Sequence, residues 1–252
     1  MAEQPLLTTR GLSRRFGAVR ATDGVDLDVA AGSLHAVIGP NGAGKSTLIG
    51  LLAGEIAPDA GAIHFAGSNI TRLPVHRRAR AGLARSFQVT SVFTGFSVRE
   101  NVALAVQAHA GHSFRFWRRA DREHALNERA EATLAQVHLA ERAHEPAGAL
   151  AHGEKRQLEL AMALAGKPRM LLLDEPMAGM SQEEGSHLAA LLQRLKEHVT
   201  ILLVEHDMDV VFSLSDRITV LIFGRVVITG TPAEVRASDE VQAAYLGERE
   251  TC

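Results

Sequence analysis

The segment Gly39-Pro-Asn-Gly-Ala-Gly-Lys45-Ser46 puts three glycines, a lysine and a hydroxyl between an apolar run and a helical pattern. It matches G-x-x-x-x-G-K-[ST], a spacing with phosphate chemistry behind it. Glycines let backbone N–H groups converge on an anion without Cβ clashes, and the helix that follows aims its dipole and free N–H groups at the same anion. Gly39, Asn41, Gly42, Ala43 and Gly44 would form the cradle. Lys45 would reach the β- and γ-phosphates, Ser46 would ligate Mg²⁺, and Thr47 would support a phosphate oxygen. A glycine-rich turn with no ligand is the plainer alternative. The strand-like "HAVI" before it and the helical "KSTLIGLLAG" after it weigh against that alternative.

The stretch "MLLLDEP" from Met170 supplies what such a site lacks. Its apolar run reads as a buried strand with Asp174 and Glu175 at its end, and ligands of open α/β sheets lie at the carboxyl ends of strands. Asp174 would hold Mg²⁺ through water, and Glu175 is placed to polarise an attacking water. By itself the segment reads as two acids capping a strand before Pro176. Paired with the glycine loop, it points to a nucleoside triphosphate.

The elements that must position these residues follow from hydrophobic period and punctuation. Short β-rich segments from Leu6 to Ile38 are divided by turns at Gly11, Gly17, Gly24 and Gly32. "KSTLIGLLAG" is a helix with Gly54 as its C-cap, and "AGAIHFAGSNI" is a hairpin-like pair of strands. From about Val98 to Ala165 the pattern is helical and alanine-rich. Buried strands then follow in "RMLLLDEP", "VTILLVEHD" and "ITVLIFGRVVITG", with a helix from Gln182 to about Lys196 between the first two. Strands alternating with helices predict a largely parallel sheet.

The expected fold is therefore α/β, with a small antiparallel β subdomain and an inserted helical subdomain. Residues 1–90 and 160–235 would form the core with the β subdomain, about 90–160 the helical lobe, and 236–252 a C-terminal tail, all within a single domain of 252 residues. The net charge of −2 lacks the basic excess of a nucleic-acid binder. Cys252 is the sole cysteine, so a disulfide within the chain is excluded and a reducing compartment fits. "MAEQPLLTTR" has no basic stretch followed by an apolar one, so no signal peptide is expected. The apolar runs are strand-sized, far short of the roughly 20 residues a membrane-spanning helix needs.

Three further segments narrow the class: "ARSFQVTSVF" with Gln88, "LAHGEKRQLELAMALA" from Leu150, and "LLVEHDMDVV" with His206. With the glycine loop and "MLLLDEP", they make the sequence resemble the nucleotide-binding subunits of ABC transporters over nearly its whole length. The resemblance implies a P-loop NTPase core of RecA-like type and ATP with Mg²⁺ as cofactors. It implies that Gln88 contacts Mg²⁺ and senses a membrane partner, and that His206 contacts the γ-phosphate and holds the attacking water. "MAGMS", Met177 to Ser181, matches the segment that crosses to the opposite subunit. Phe16 stands where the family places an aromatic ring that stacks on adenine; an ordinary core phenylalanine is the competing reading. The signature departs from Leu-Ser-Gly-Gly-Gln: it is Leu150-Ala151-His152-Gly153-Glu154, so a serine hydroxyl is absent, while Gly153, Glu154 and the helix start can still face an anion.

"GLARSFQVTSVFTGFSVRENVALA", "EHDMDVV" and "GTPAEVRASDEVQAAYLGE" resemble, more closely, the longer ATPase of branched-chain amino-acid importers, with extra residues at roughly Gln107 to Arg129. The implied partners are transmembrane permease subunits, a homodimer or heterodimer partner ATPase and, indirectly, an external solute-binding protein. The implied place is the cytoplasmic face of the bacterial inner membrane, as a peripheral protein. A lipopolysaccharide-type exporter ATPase is the nearest alternative. A soluble ABC-type ATPase is another, though it would bring coiled-coil arms, tandem domains or a basic surface, none of which is here.

Other signals stay modest. "HAGH", His109 to His112, has no cysteine or carboxylate at ligand spacing and reads as a solvated loop. "HRRAR" from His76 reads as a solvated helical face. "FRFWRR", Phe114 to Arg119, fits either lipid or permease contact or an exposed helix start, and Cys252 a frayed terminus. The variant signature yields a first prediction: Ala151→Ser leaves steady-state ATPase turnover intact or raises it, and a large loss would show the segment to be misplaced.

Overall fold

The computed structural model describes residues 4–86, 92–110 and 124–246. Strands β1 (Leu7–Phe16), β2 (Val19–Val29), β4 (Ala60–Phe65) and β5 (Ser68–Asn69) form an antiparallel sheet in the order β2-β1-β4-β5. Strands β3 (Leu34–Ile38), β6 (Leu83–Arg85), β7 (Met170–Asp174), β8 (Thr200–Val204), β9 (Arg217–Ile222) and β10 (Arg225–Gly230) form a second sheet in the order β10-β9-β3-β8-β7-β6. It is parallel except at the antiparallel edge pair β9–β10.

The strands β3, β7 and β8 are buried throughout, which is why they read as unbroken apolar runs: both faces are covered. Leu171, Leu173, Ile201 and Leu203 share a core with α3 (Val98–Ala110), α4 (His124–Gln136), α5 (His152–Leu164) and α6 (Gln182–Leu195). Met170, Leu172, Leu202 and Val204 face the other way, onto α1 (Lys45–Ala53) and the antiparallel sheet. A third, smaller core joins Ile218 and Val220 of β9 to α7 (Met208–Leu214), α8 (Pro232–Arg236) and α9 (Asp239–Leu246). The antiparallel sheet has one wet face, so β2 alternates: Val25, Leu27 and Val29 are buried, with Asp26 and Asp28 outward.

Helix starts are set by side chains. Ser181 accepts the Glu184 N–H and Glu184 returns to the Ser181 N–H at 2.9 Å, a reciprocal cap that begins α6; Thr231 and Glu234 repeat it at α8. At its other end α1 stops at Gly54, whose φ of 85° is the left-handed conformation of a helix-ending glycine.

The structure departs from the sequence reading in four places. Gly17 and Gly32 make turns, but Gly11 and Gly24 lie inside β1 and β2, where the register shifts, so one long bulged hairpin replaces several short strands. "ITVLIFGRVVITG" is a hairpin turning at Phe223 and Gly224, and its edge strand β10 is only half buried. His109 belongs to α3 and packs against Gly166 instead of lying in a loop; His112 falls outside the described residues. The "HRRAR" helix α2 (Val75–Arg80) is not wholly solvated: Arg78 is 2% exposed. Its guanidinium donates to the carbonyls of Leu51 and Leu52 at 2.6 and 2.7 Å, and to those of Leu73 and Thr71 at 2.9 Å each. Two of these are last-turn carbonyls at the negative end of α1, so Arg78 caps the helix that follows the glycine loop. An arginine at such a position is invisible to periodicity, because only its five donors explain its burial.

His35 on β3 offers a test of packing. It is buried, bonded at 2.8 Å to Thr219, which is also 2.8 Å from Thr229. Burial first, and the Arg217 charge second, push its pKa down from 6.5 to about 4. The unfolded chain then binds a proton between pH 6.5 and 4 that the folded chain does not, so stability is full above 6.5 and falls as pH drops towards 4. The expected loss from this group is about 2 kcal/mol at pH 5. Urea midpoints measured at pH 7 and pH 5 should show it, and His35→Leu, which leaves the Thr219–Thr229 bond in place, should remove that part of the slope.

Candidate functional site

The glycine loop runs from β3 into α1, and two of its glycines are demanded by close approach. A Cβ on Gly39 (φ 152°) would lie 2.0 Å from the Leu221 carbonyl oxygen, and one on Gly44 (φ 102°) 2.0 Å from that of Ala21. The loop is also tied to the β9–β10 turn, where the Gly224 N–H donates to the Ala43 carbonyl at 2.9 Å. Lys45 is 7% exposed, and its ammonium donates to Gly39 O at 2.6 Å and Pro40 O at 2.9 Å. Asn41, Gly42 and Ser46 are exposed and Thr47 is half-buried. No side chain caps α1, so its first-turn N–H groups face the loop opening.

The remaining residues arrive from adjacent strands. Val37 of β3, Val204 of β8 and Asp174 of β7 pair in one row, so the three strands end together. Asp174 is buried. Its Oδ2 accepts from Arg85 at 3.0 Å, the Ser46 hydroxyl faces the same carboxylate, and its buried Oδ1 has no hydrogen-bond partner among the described residues. Burial pushes the Asp174 pKa up; Arg85 opposes that, and Glu175 adds to it. An orphaned carboxylate oxygen beside a hydroxyl is a hard-oxygen donor set, and Mg²⁺ fits it.

Glu175 holds a left-handed backbone (φ 49°), with its N–H donating to Val204 O at 2.8 Å. A non-glycine residue there costs on the order of 1 kcal/mol, and such strain gathers at functional sites. One residue past β8, Glu205 is 1% exposed and accepts the Met177 N–H at 2.9 Å and the His206 N–H at 3.2 Å; burial raises its pKa, partly offset by those two bonds. His206 itself projects outward, its side chain 66% exposed, with Nδ1 3.7 Å from Glu205.

The structure thus brings the glycine loop, Asp174, Glu175 and His206 to one end of the parallel sheet. Gln88 lies outside the described residues. Gly153 and Glu154 begin α5 and make their contacts elsewhere: Glu154 accepts the Ala151 N–H at 2.8 Å and pairs with Arg142 at 3.2 Å, and the Gly153 N–H meets Glu184 at 3.3 Å. Phe16 is no core residue: it is 46% exposed at the end of β1, with the Arg14 guanidinium 4.9 Å from its ring centre. Sequence reasoning missed Arg85, which joins Glu55 to Asp174, and Glu205. Arg85 had a faint signal as a charge on a buried strand; Glu205 had none beyond its place next to His206.

Comparison with known proteins agrees with this geometry. The ABC transporter family model matches residues 22–178, and a model described as branched-chain amino acid ATP-binding cassette transporter matches residues 225–251. The chain is 41% identical to the high-affinity branched-chain amino acid transport ATP-binding protein BraF of Pseudomonas aeruginosa, over 97% of this chain and 99% of that one. It is 38% identical to LivG of Escherichia coli K12, which carries the same description, with the same coverage. The crystal structure of the ADP conformation of an ATP-binding cassette of an ABC transporter superposes with a TM-score of 0.86 at 27% identity, covering 97% of this chain and 99% of that one. A nucleotide-free cassette gives a TM-score of 0.85 at the same identity, covering 96% and 99%. With a glycine loop, a buried aspartate and a strained glutamate at the same strand ends, the chain belongs to the ABC transporter family as an ATP-hydrolysing P-loop cassette.

Proposed function

We propose that this chain energises a bacterial importer of branched-chain or related amino acids, working as a peripheral subunit on the cytoplasmic face of the inner membrane. The observation that carries the ATPase chemistry is the Asp174 carboxylate, which the Ser46 hydroxyl faces and whose buried Oδ1 has no partner among the described residues, next to Glu175 in a strained backbone. The loop N–H groups and Lys45 bind the phosphates of ATP. Ser46 and Asp174, with Gln88 as the family resemblance implies, would hold Mg²⁺, which would supply charge neutralisation at the phosphates. Glu175 takes a proton from the attacking water, His206 orients that water at the γ-phosphate, and Phe16 stacks on adenine.

The match at 225–251 and the identity across 97% of the chain support the amino-acid reading over export. Among the described residues no helix is long and apolar enough to cross a membrane. A largely apolar groove of ≈ 280 Å³ between α2, β6, α3 and α5, lined by Val75, Leu83, Ala105 and Met162, offers a permease helix a place to dock. The exposed site residues Asn41, Ser46 and His206 leave the γ-phosphate side open. A second cassette closes it, contributing its own α5 start across the interface.

Two measurements test this reading. Glu175→Gln should abolish turnover while ATP drives a stable dimer in gel filtration; normal turnover would remove Glu175 from its role. A pull-down of the tagged chain from gently solubilised native membranes should recover two permease subunits and a second, shorter ATPase. Recovery with lipopolysaccharide-export components instead would reassign the transporter.

A further inference from the structure

Glu205 is a buried acid to which the chemistry above gives no task. It follows β8 as Glu175 follows β7, on neighbouring strands whose ends pair at Val204 and Asp174. At 1% exposure, a carboxylate needs partners, and it has chosen two backbone N–H groups from separate segments. One is Met177, at the start of the segment Met177–Ser181 that leads from Glu175 into α6, at 2.9 Å. The other is His206, at 3.2 Å, whose imidazole Nδ1 also stands 3.7 Å from the same carboxylate. Apolar residues would fill this volume without the desolvation cost, so packing alone does not account for an acid here.

We propose that Glu205 is a positioning residue for ATP hydrolysis: its carboxylate ties the loop carrying His206 to the segment following Glu175, so that the two enter the closed site as one piece. This rests on the role given above to His206. Each segment has anchors of its own: Met177 and Met180 pack on the main core and Ser181 caps α6 with Glu184, while Asp207 caps α7. His206 is largely exposed, and Met177–Ser181 is a succession of turns, Ala178 N–H to Glu175 O at 3.2 Å and Met180 N–H to Met177 O at 3.2 Å, with Gly179 at φ 77°. A single acceptor with two oxygens fixes their relative register in a way that separate caps would not. Because Glu205 meets neither the glycine loop nor Asp174 in any hydrogen bond, it sets the geometry of the attack and not the grip on the nucleotide.

The test compares turnover, nucleotide affinity and dimer formation in one set of variants. Glu205→Ala should lower kcat at least tenfold with KM for ATP within twofold. Combined with Glu175→Gln, it should still give the ATP-driven dimer. Glu205→Gln keeps the volume but presents one acceptor and one NH₂ group, so it should still fold, with a modestly lower Tm, and lose several-fold in kcat; it serves if the alanine variant does not fold. Unchanged kcat in both variants overturns the proposal. So does a fall in kcat matched by a rise in KM or by loss of the dimer, since either marks a general structural role. Failure of Glu175→Gln alone to trap a dimer would instead count against the underlying mechanism, so the two failures are distinct.

Discussion

The site depends on a steric constraint: the glycine loop is wedged between two pieces of backbone. Gly39 rests against the carbonyl of Leu221 and Gly44 against that of Ala21, each at a distance no Cβ could occupy. One contact comes from the parallel sheet and the other from the antiparallel sheet. The loop shape that lets N–H groups converge on a phosphate is therefore set by how the two sheets pack, not by the loop's own sequence alone. The bond from Gly224 to Ala43 and that from Asp23 to Gly224 O at 2.8 Å draw the same three segments together. Arg78 then fixes the far end of α1, so the helix whose N-terminus faces the phosphates is held at both ends.

Electrostatics at the strand ends have been left unbalanced. For Asp174 the burial penalty outweighs the attraction of Arg85, and the nearby Glu175 adds to the imbalance. Glu205, also nearby, is raised for the same first reason. Burial of Asp174 and Glu205, with the Glu175 charge adding to each, is a net cost to the folded chain. A divalent cation beside Asp174 would relieve it, so the arrangement favours the nucleotide-loaded state over the empty one. Local strain and incompletely compensated burial of charge at a site, against well-paired surroundings, is the pattern expected where function and stability compete.

Most of the parallel core was legible, because strands covered on both faces must be apolar throughout, and β3, β7 and β8 are. The glycine loop was legible because few sequences need glycine at such spacing. What sequence did not disclose has a common cause: it depends on contacts distant along the chain. Gly11 and Gly24 look like turn residues, and only pairing between β1 and β2 makes them bulges. Arg78 looks like one more charge in a basic run until its four carbonyl partners are seen. Phe16 could have been core or platform, and its exposure at the hairpin end settles that it is not core. The helical character of the middle was visible as a composition change at Val98, but not that α3 to α5 share one hydrophobic core with the underside of the sheet.

The start of α5 shows how one departure from a family pattern is absorbed. Ala151 stands at the N-cap with no hydroxyl to offer, which leaves first-turn N–H groups of α5 without the usual side-chain acceptor. Two carboxylates meet this end of the helix instead. Glu154 reaches back to the Ala151 N–H, the half of a capping box that does not need the serine. Glu184, already capping α6 through Ser181, extends its second oxygen to the Gly153 N–H. Negative charge at a helix N-terminus offsets the dipole, so the helix is secured without the hydroxyl. The same bond joins the first turns of α5 and α6, and α6 begins at the end of Met177–Ser181. The segment after Glu175 and α5 are thereby linked within one chain.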